Sequence, residues 1–249
     1  MTRPVVITGE FTGKNVPWIQ TRAIGRMKIA RNWTPYPGEP WALDNGAFRM
    51  WNAAQKSGQP VSYVWKEFEK RLAEAAELAR KGTPPLFVVI PDQVADECSL
   101  EYSLRWLEEL EQNGLEELDP MAWVYGPRYG AMPFYLAVQD GMTPEALEAM
   151  VDVETDEPIL AKFAGIFLGG SVAWKERTAA SWRSLTRAWG MRFHYARAGT
   201  PRKLRHAHEV GADSVDSATF LWTVDRREAF YQAWLGLELP PDQLSLEVA

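Results

Sequence analysis

The chain has 249 residues, 46% of them hydrophobic and 24% charged, with a formal net charge of −6. The charge argues against broad non-specific binding to nucleic acid, which relies on Lys and Arg neutralising phosphates. The single cysteine, Cys98, excludes an internal disulfide framework and a Cys-rich zinc site, and it points to a reducing, cytoplasmic home.

In chain order, Met-Thr-Arg-Pro lacks the apolar segment of a secretory signal, and no apolar run reaches the roughly 18 residues of a spanning helix. Val5 to Thr8 is a first short strand, closed by Gly9. Residues 11–40 are rich in Pro and Gly and predict a long loop or lid, with one helix around Ile19 to Arg31. Trp41 to Asp44 is a strand ending on a carboxylate, with Gly46 turning the backbone. Tyr63 to Lys81 carries Trp65, Phe68, Leu72, Ala75 and Ala79 on one helical stripe, and Gly82 stops it. Leu86 to Ile90 is a continuous apolar run, suited to a strand covered on both faces, and it runs into Pro91-Asp92.

Leu100 to Asn113 is helical again, while Met121 to Tyr125 and Phe134 to Val138 are strand-like, the second leading into Gln139-Asp140-Gly141. Thr143-Pro144 is a capped helix start. Ala164 to Leu168 is the next strand, followed at once by Gly169-Gly170-Ser171, and Trp174 to Trp189 is a helix with its tryptophans on the core face. Arg192 to Ala196 is a strand and Thr200-Pro201 opens a helix that Gly211 ends. Gly211 to Ser217 reads as a buried strand ending on Asp216, with Asp213 at its start in a structural role. Arg226 to Leu235 is a last helix before a tail over 236–249. Strand and helix alternate throughout, which predicts a parallel sheet; about eight strands fit a single α/β domain closed as a (β/α)8 barrel.

In such a barrel the residues after each strand converge on one mouth. Here they are Asp44, Asp92, Gln139, Gly169-Gly170-Ser171 and Asp216. Carboxylates accept from ring and exocyclic N–H groups, the Gln amide both donates and accepts, and glycines let a backbone approach closely, so the set suits a planar ligand such as a purine. Paired carboxylates also suit glycosidic chemistry, one as nucleophile and one as acid or base. Taken singly, each residue reads as a cap or turn residue; it is their shared strand-end register that points to a site.

Four of these stretches carry a resemblance. Asp44-Asn45-Gly46-Ala47-Phe48 resembles the Asp-Ser-Gly-Gly-Phe motif of tRNA-guanine transglycosylases, and Ala137-Val138-Gln139-Asp140-Gly141 their Ile-Val-Gln-Gly segment. Phe167 to Ser171 is similar to their Gly-Gly-Leu segment and Gly211 to Ser217 to their Gly-Ile-Asp-Met-Phe-Asp-Cys, in the same order, with Gly199-Thr200-Pro201 matching the approach to the last. The resemblance implies a barrel that exchanges guanine for a 7-deazaguanine base through a covalent glycosyl-enzyme. Asp216 would be the nucleophile and Asp44 the general acid/base, with Asn45, Asp92, Gln139, Gly169, Gly170 and Ser171 holding the base. The family's three-Cys, one-His zinc subdomain has no counterpart here, and Ala218 to Trp222 replaces its basic Thr-Arg-Ser-Gly-Arg stretch. In both respects the chain looks more like the phage-type DNA-guanine transglycosylases. No metal and no cofactor are implied.

The partners expected are DNA ahead of tRNA, a 7-deazaguanine base, and a partner protein or second copy of the chain, with no membrane. Arg183, Arg187, Arg192, Arg197, Arg202, Lys203 and Arg205 fall in one segment, which predicts a phosphate-facing surface at Arg197, Arg202 and Lys203 joined by His194. His194 is equally readable as a hydrogen-bonded structural histidine, and His206 and His208 match no ligand spacing. Rival classes share the pocket: a tRNA-guanine transglycosylase, a hydrolase of deazaguanine nucleosides, or a barrel that binds a nucleobase without turning it over.

Overall fold

Strands of three to five residues, each too short to stand alone, close on one another in chain order: β1 Val5–Thr8, β2 Gly25–Lys28, β3 Trp41–Leu43, β4 Phe87–Val89, β5 Phe134–Val138, β6 Gly165–Leu168, β7 Arg192–Tyr195 and β8 Ser214–Ser217. Every neighbouring pair is parallel, and β8 pairs with β1 to close the ring. The protein is therefore an α/β chain with an eight-stranded (β/α)8-type barrel. This computed structural model describes residues 3–9, 24–29, 33–113, 132–152, 155–221 and 223–237.

Side chains alternate across each strand with period two. Ile7, Met27, Ala42, Phe87, Val89, Tyr135 and Ala137 pack inside the barrel. Val6, Leu43, Val88, Leu136, Ile166, Phe193 and Val215 point outward into a second core beneath the helices. Both faces are dry, which is why the strands read as continuous apolar runs. Seven α-helices are described: α1 Ala47–Ser57, α2 Lys66–Arg80, α3 Ser99–Asn113, α4 Pro144–Glu148, α5 Val172–Ala188, α6 Pro201–Glu209 and α7 Val224–Leu235. Thr143 and Thr200 cap α4 and α6 as their sequences predict, each hydroxyl accepting the backbone N–H of the third helical residue, Ala146 and Lys203.

Residues 11–40 depart from expectation. Within them Gly25–Lys28 is a barrel strand and not part of a helix, and Trp41–Leu43 pairs with it. The strand escapes a hydropathy reading because Arg26 and Lys28 are charged, yet they are only 3% and 1% exposed. Both project outward from the barrel into partners distant in sequence. Arg26 pairs with Glu39 while its guanidinium lies 4.0 Å from the Trp33 ring centroid and 4.8 Å from that of Tyr36. Lys28 donates to the Trp33 carbonyl at 3.0 Å and pairs with Glu74 at 2.9 Å. Met121 to Tyr125 lies outside the described residues, and β4 pairs directly with β5. Helix α1 has no counterpart among the expected elements. Of the tail over 236–249, only Gly236 and Leu237 are described.

Candidate active site

The inward-facing rows do not stop where the strands stop. Ala42 leads to Asp44, Ala137 to Gln139, Phe167 to Gly169, His194 to Ala196 and Ser214 to Asp216, each two residues further toward the carboxyl end. These positions, with Asn45, Asp92, Phe48, Gly170, Arg197 and Lys203, line a cavity of about 680 Å³ at the barrel mouth. Its volume is that of a small-molecule site. The structure thus brings Asp44, Asn45, Asp92, Gln139, Gly169, Gly170 and Asp216 together, as their strand-end placement predicts.

The turn after β3 is built by its own side chains. Gly46 adopts φ 79°, and its N–H donates to Asp44 Oδ1 at 3.0 Å. Asn45 Oδ1 accepts from Ala47 N at 2.8 Å and starts α1. These are the turn roles expected of such residues taken singly, and they aim the rest of each side chain at the mouth. Asn45 Nδ2 donates to Ile90 O at 2.6 Å and to Asp92 Oδ1 at 2.7 Å. On the other side, Gln139 accepts from Ala95 N at 3.1 Å, which orients its amide so that Nε2 donates to Asp92 Oδ2. Asp92 is therefore an acceptor on both oxygens, with one further lone pair on each. It is 5% exposed. Burial pushes its carboxyl up to about 7 against the two amide donors, with the Asp44 charge adding to the rise.

Asp216 shows the opposite balance. Burial works against its charge, but the hydrogen bond from His194, the Arg197 N–H and the Lys175 ammonium outweigh that and hold the carboxyl below its ordinary value. Its side chain keeps 18% exposure, enough to face the cavity. His194 is fully buried, and burial lowers its basicity despite Asp216. It lies stacked on Phe167 at 4.7 Å and tilted against Phe87 at 4.7 Å.

His194 therefore belongs beneath the cavity floor and cannot meet nucleic-acid phosphates, which corrects that part of the sequence reading; the structural alternative is the one observed. Ser171 is not among the cavity-lining residues. Its hydroxyl donates to Asp140 Oδ1 at 2.5 Å and accepts from Trp174 N, capping α5. Arg202 is exposed and held by Glu176 at 2.6 Å, away from the lining, whereas Arg197 and Lys203 reach it. The basic segment divides between the two ends of the barrel. Arg183 and Arg192 pair with Asp213 at the foot of β8, at 2.9 and 3.5 Å, and Asp213 Oδ2 also accepts from Phe193 N. Asp213 is structural, as expected.

Two site features carry no sequence signal: the main-chain role of Arg197, which the basic segment offered only as a phosphate contact, and the buried Lys175. Arg197 has φ 57°, a left-handed backbone uncommon outside glycine, and its N–H donates to Asp216 Oδ1 at 2.8 Å. Its guanidinium donates to Gly170 O and lies 4.8 Å from the Phe48 ring centroid, bridging two sides of the mouth. Lys175, on α5, is 1% exposed and donates to Ala196 O. Burial, helped by Arg197, lowers its ammonium to about 7.

No protein-family model and no curated protein matches the chain. Among the described residues no group of three or more His, Cys, Asp or Glu side chains is placed to hold a metal, and no helix is long and apolar enough to cross a membrane.

The two perturbed groups imply opposite pH signatures in stability. Between its ordinary 3.8 and about 7, Asp92 is protonated in the folded chain and ionised in the unfolded one, so its contribution falls as pH rises through that window. Lys175 holds its proton only in the unfolded chain between about 7 and 10.5, so its contribution rises with pH there. Each slope is bounded by about 1.4 kcal/mol per pH unit. Denaturant titrations should show the stability of wild type relative to Asp92→Ala declining from about pH 4 to about pH 7, and that relative to Lys175→Met climbing above about pH 7. Parallel curves would contradict both assignments.

Proposed function

We propose that the protein is a base-exchange glycosyltransferase that replaces guanine in a nucleic acid, DNA ahead of tRNA, with a 7-deazaguanine base. The observation that carries the reading is that one cavity joins a carboxylate kept ionised, Asp216, to a hydrogen-bonding array, Asn45–Asp92–Gln139, whose carboxyl titrates near neutrality. Environments that drive two carboxyls apart in this way assign them different tasks. The resemblance of Asp44 to Phe48, Ala137 to Gly141, Phe167 to Ser171 and Gly211 to Ser217 to the guanine transglycosylases supports the same reading.

The Asp216 carboxylate attacks C1′ of the target nucleoside, and the C1′–N bond breaks with its electron pair passing to the departing guanine. Asp44, as general acid, supplies the proton that guanine takes up. The incoming base then loses its N–H proton to Asp44 and attacks C1′, releasing Asp216 as a carboxylate. Ionised Asp92 accepts the two adjacent N–H donors of a guanine-type edge through its remaining lone pairs, and the Gly169–Gly170 backbone lines the cavity beside it. A nucleoside at the bottom of this mouth has to leave any base stack it came from.

Incubation with radiolabelled guanine and DNA, tRNA or free guanosine in separate arms tests the reading. Label should enter DNA and be chased out by a 7-deazaguanine. Incorporation only into tRNA moves the acceptor; release of free base with no incorporation makes the protein a hydrolase; no reaction in any arm leaves a binding barrel.

On the same reading, Lys203 at the cavity rim is the cation that would meet a phosphate. Lys203→Ala should reduce the slope of log affinity against log salt by about one, the value of one lost phosphate contact. Arg202→Ala, whose charge Glu176 already meets, should change the slope little. Equal slopes for wild type and Lys203→Ala in filter-binding titrations would move the interface away from this mouth.

A further inference from the structure

We infer that His194 is a positioning residue which, with the Arg197 main chain, engages one oxygen of Asp216 and leaves the other, Oδ2, as the atom presented to the cavity. The inference rests on the reading of Asp216 as the nucleophile and names the atom and its support. Two donors converge on Oδ1 of the carboxylate: His194 Nε2 at 3.1 Å and Arg197 N at 2.8 Å. On its other side His194 Nδ1 meets Ser214 Oγ at 2.8 Å.

A neutral imidazole carries one N–H, and the two contacts decide where it sits. A carboxylate is acceptor-only, so Nε2 donates to Asp216 and Nδ1 accepts the Ser214 hydroxyl proton. The Phe167 and Phe87 rings hold the imidazole plane, so the donor points in one direction. Ser214, His194 and Asp216 form the chain of a hydrolytic triad with its ends exchanged. The serine is 6% exposed and outside the cavity, and the carboxylate faces the ligand. Ser214 therefore orients, and the reactive end is the aspartate.

The second donor is fixed separately. Lys175 donates to Ala196 O, pinning the turn in which Arg197 takes its left-handed backbone and aims its N–H at Oδ1. The charged or titratable groups facing Asp216 are thus His194 from β7 and Lys175 from α5, together with the Arg197 N–H after β7. With Oδ1 engaged twice, the carboxylate loses rotational freedom about its last bond, which is how orientation lowers a barrier.

Carbon-13 NMR of carboxyl-labelled aspartate, with Asp216 assigned by the signal lost in Asp216→Asn, gives a readout independent of turnover. Loss of the donor in His194→Phe should raise the Asp216 midpoint by about one pH unit. His194→Gln, which keeps an N–H donor, should restore most of it, and Ser214→Ala, the mildest change, should raise it by less. An Asp216 midpoint unmoved in Ser214→Ala, and in His194→Phe where that variant folds, overturns the inference, whatever the reaction proves to be. In a crystal structure of the sugar adduct the new bond should be on Oδ2, with Oδ1 still on His194 and Arg197; a bond on the oxygen facing His194 overturns it too. Wild type that forms no sugar adduct overturns the nucleophile reading instead, and leaves the titration result standing by itself.

Discussion

Asp216→Asn should lower base exchange by at least about four orders of magnitude, in line with loss of a nucleophile acting within a concerted site, while free-base affinity stays within a few-fold. An amide has the shape of the carboxylate but cannot attack C1′. Binding should be spared because the proposed base-holding array, Asn45–Asp92–Gln139, is hydrogen-bonded among its own members and to Ile90 O, Gln93 O, Ala47 N and Ala95 N, none of which involves Asp216. The His194 and Arg197 donors still find an oxygen in the variant if its amide is turned that way. Asp44→Asn should also slow turnover severely, yet it differs in kind, because proton transfer and nucleophilic attack are separate roles. It can still accumulate an adduct. Exchange kinetics under single-turnover conditions, paired with calorimetry of base binding, separate the two variants. Near-normal exchange by Asp216→Asn would make the likeness of Gly211 to Ser217 to a nucleophile motif incidental.

Gly25→Ala should cost about 3 kcal/mol or more, the upper end of what overpacking usually costs. A Cβ at Gly25 would lie 2.1 Å from Pro40 O, 2.9 Å from Pro40 C and 2.6 Å from Ile7 Cδ1. Two of those atoms are backbone, in the segment where Arg26 N donates to Pro40 O at 3.1 Å and β2 joins β3. Neither strand can retreat without opening the barrel, and a domain has only about 5–15 kcal/mol in all. Gly82→Ala is the control. Its φ of 83° is strained for alanine but nothing lies within 4 Å of the added carbon, so the cost should be near ~1 kcal/mol. Denaturant midpoints at constant slope measure both. Equal small losses would contradict β2 as a barrel strand.

The barrel is legible in the sequence where strands are apolar on both faces, as in Leu86 to Ile90 and Phe134 to Val138, because such runs need cover on two sides. The mouth is legible because period-two alternation carries inward rows past the strand ends to Asp44, Gln139, Gly169 and Asp216. β2 is hidden because its outward residues are charged and are buried against Glu39, Glu74, the Trp33 carbonyl and the Trp33 and Tyr36 rings, none of which a local pattern reveals. Lys175 is hidden for the same reason. It reads as a solvated helix lysine until the fold places Ala196 O and the Tyr195 ring around it. His194 sits in an ordinary strand pattern, and its assignment turns on Ser214 and Asp216, twenty and twenty-two residues away. Ser171 misleads because the Gly-Gly-Ser run is at once a strand end and a helix cap, and the hydroxyl serves the cap.

The covalent intermediate is the point on which the proposed function stands. Wild-type protein incubated with guanine-containing DNA, denatured in acid and digested should yield a peptide spanning Gly211 to Ser217 that carries a sugar-linked mass on Asp216, absent from Asp216→Asn and accumulated in Asp44→Asn. A wild-type digest that carries out exchange with no such adduct at any quench time, or an adduct on a residue other than Asp216, would contradict it.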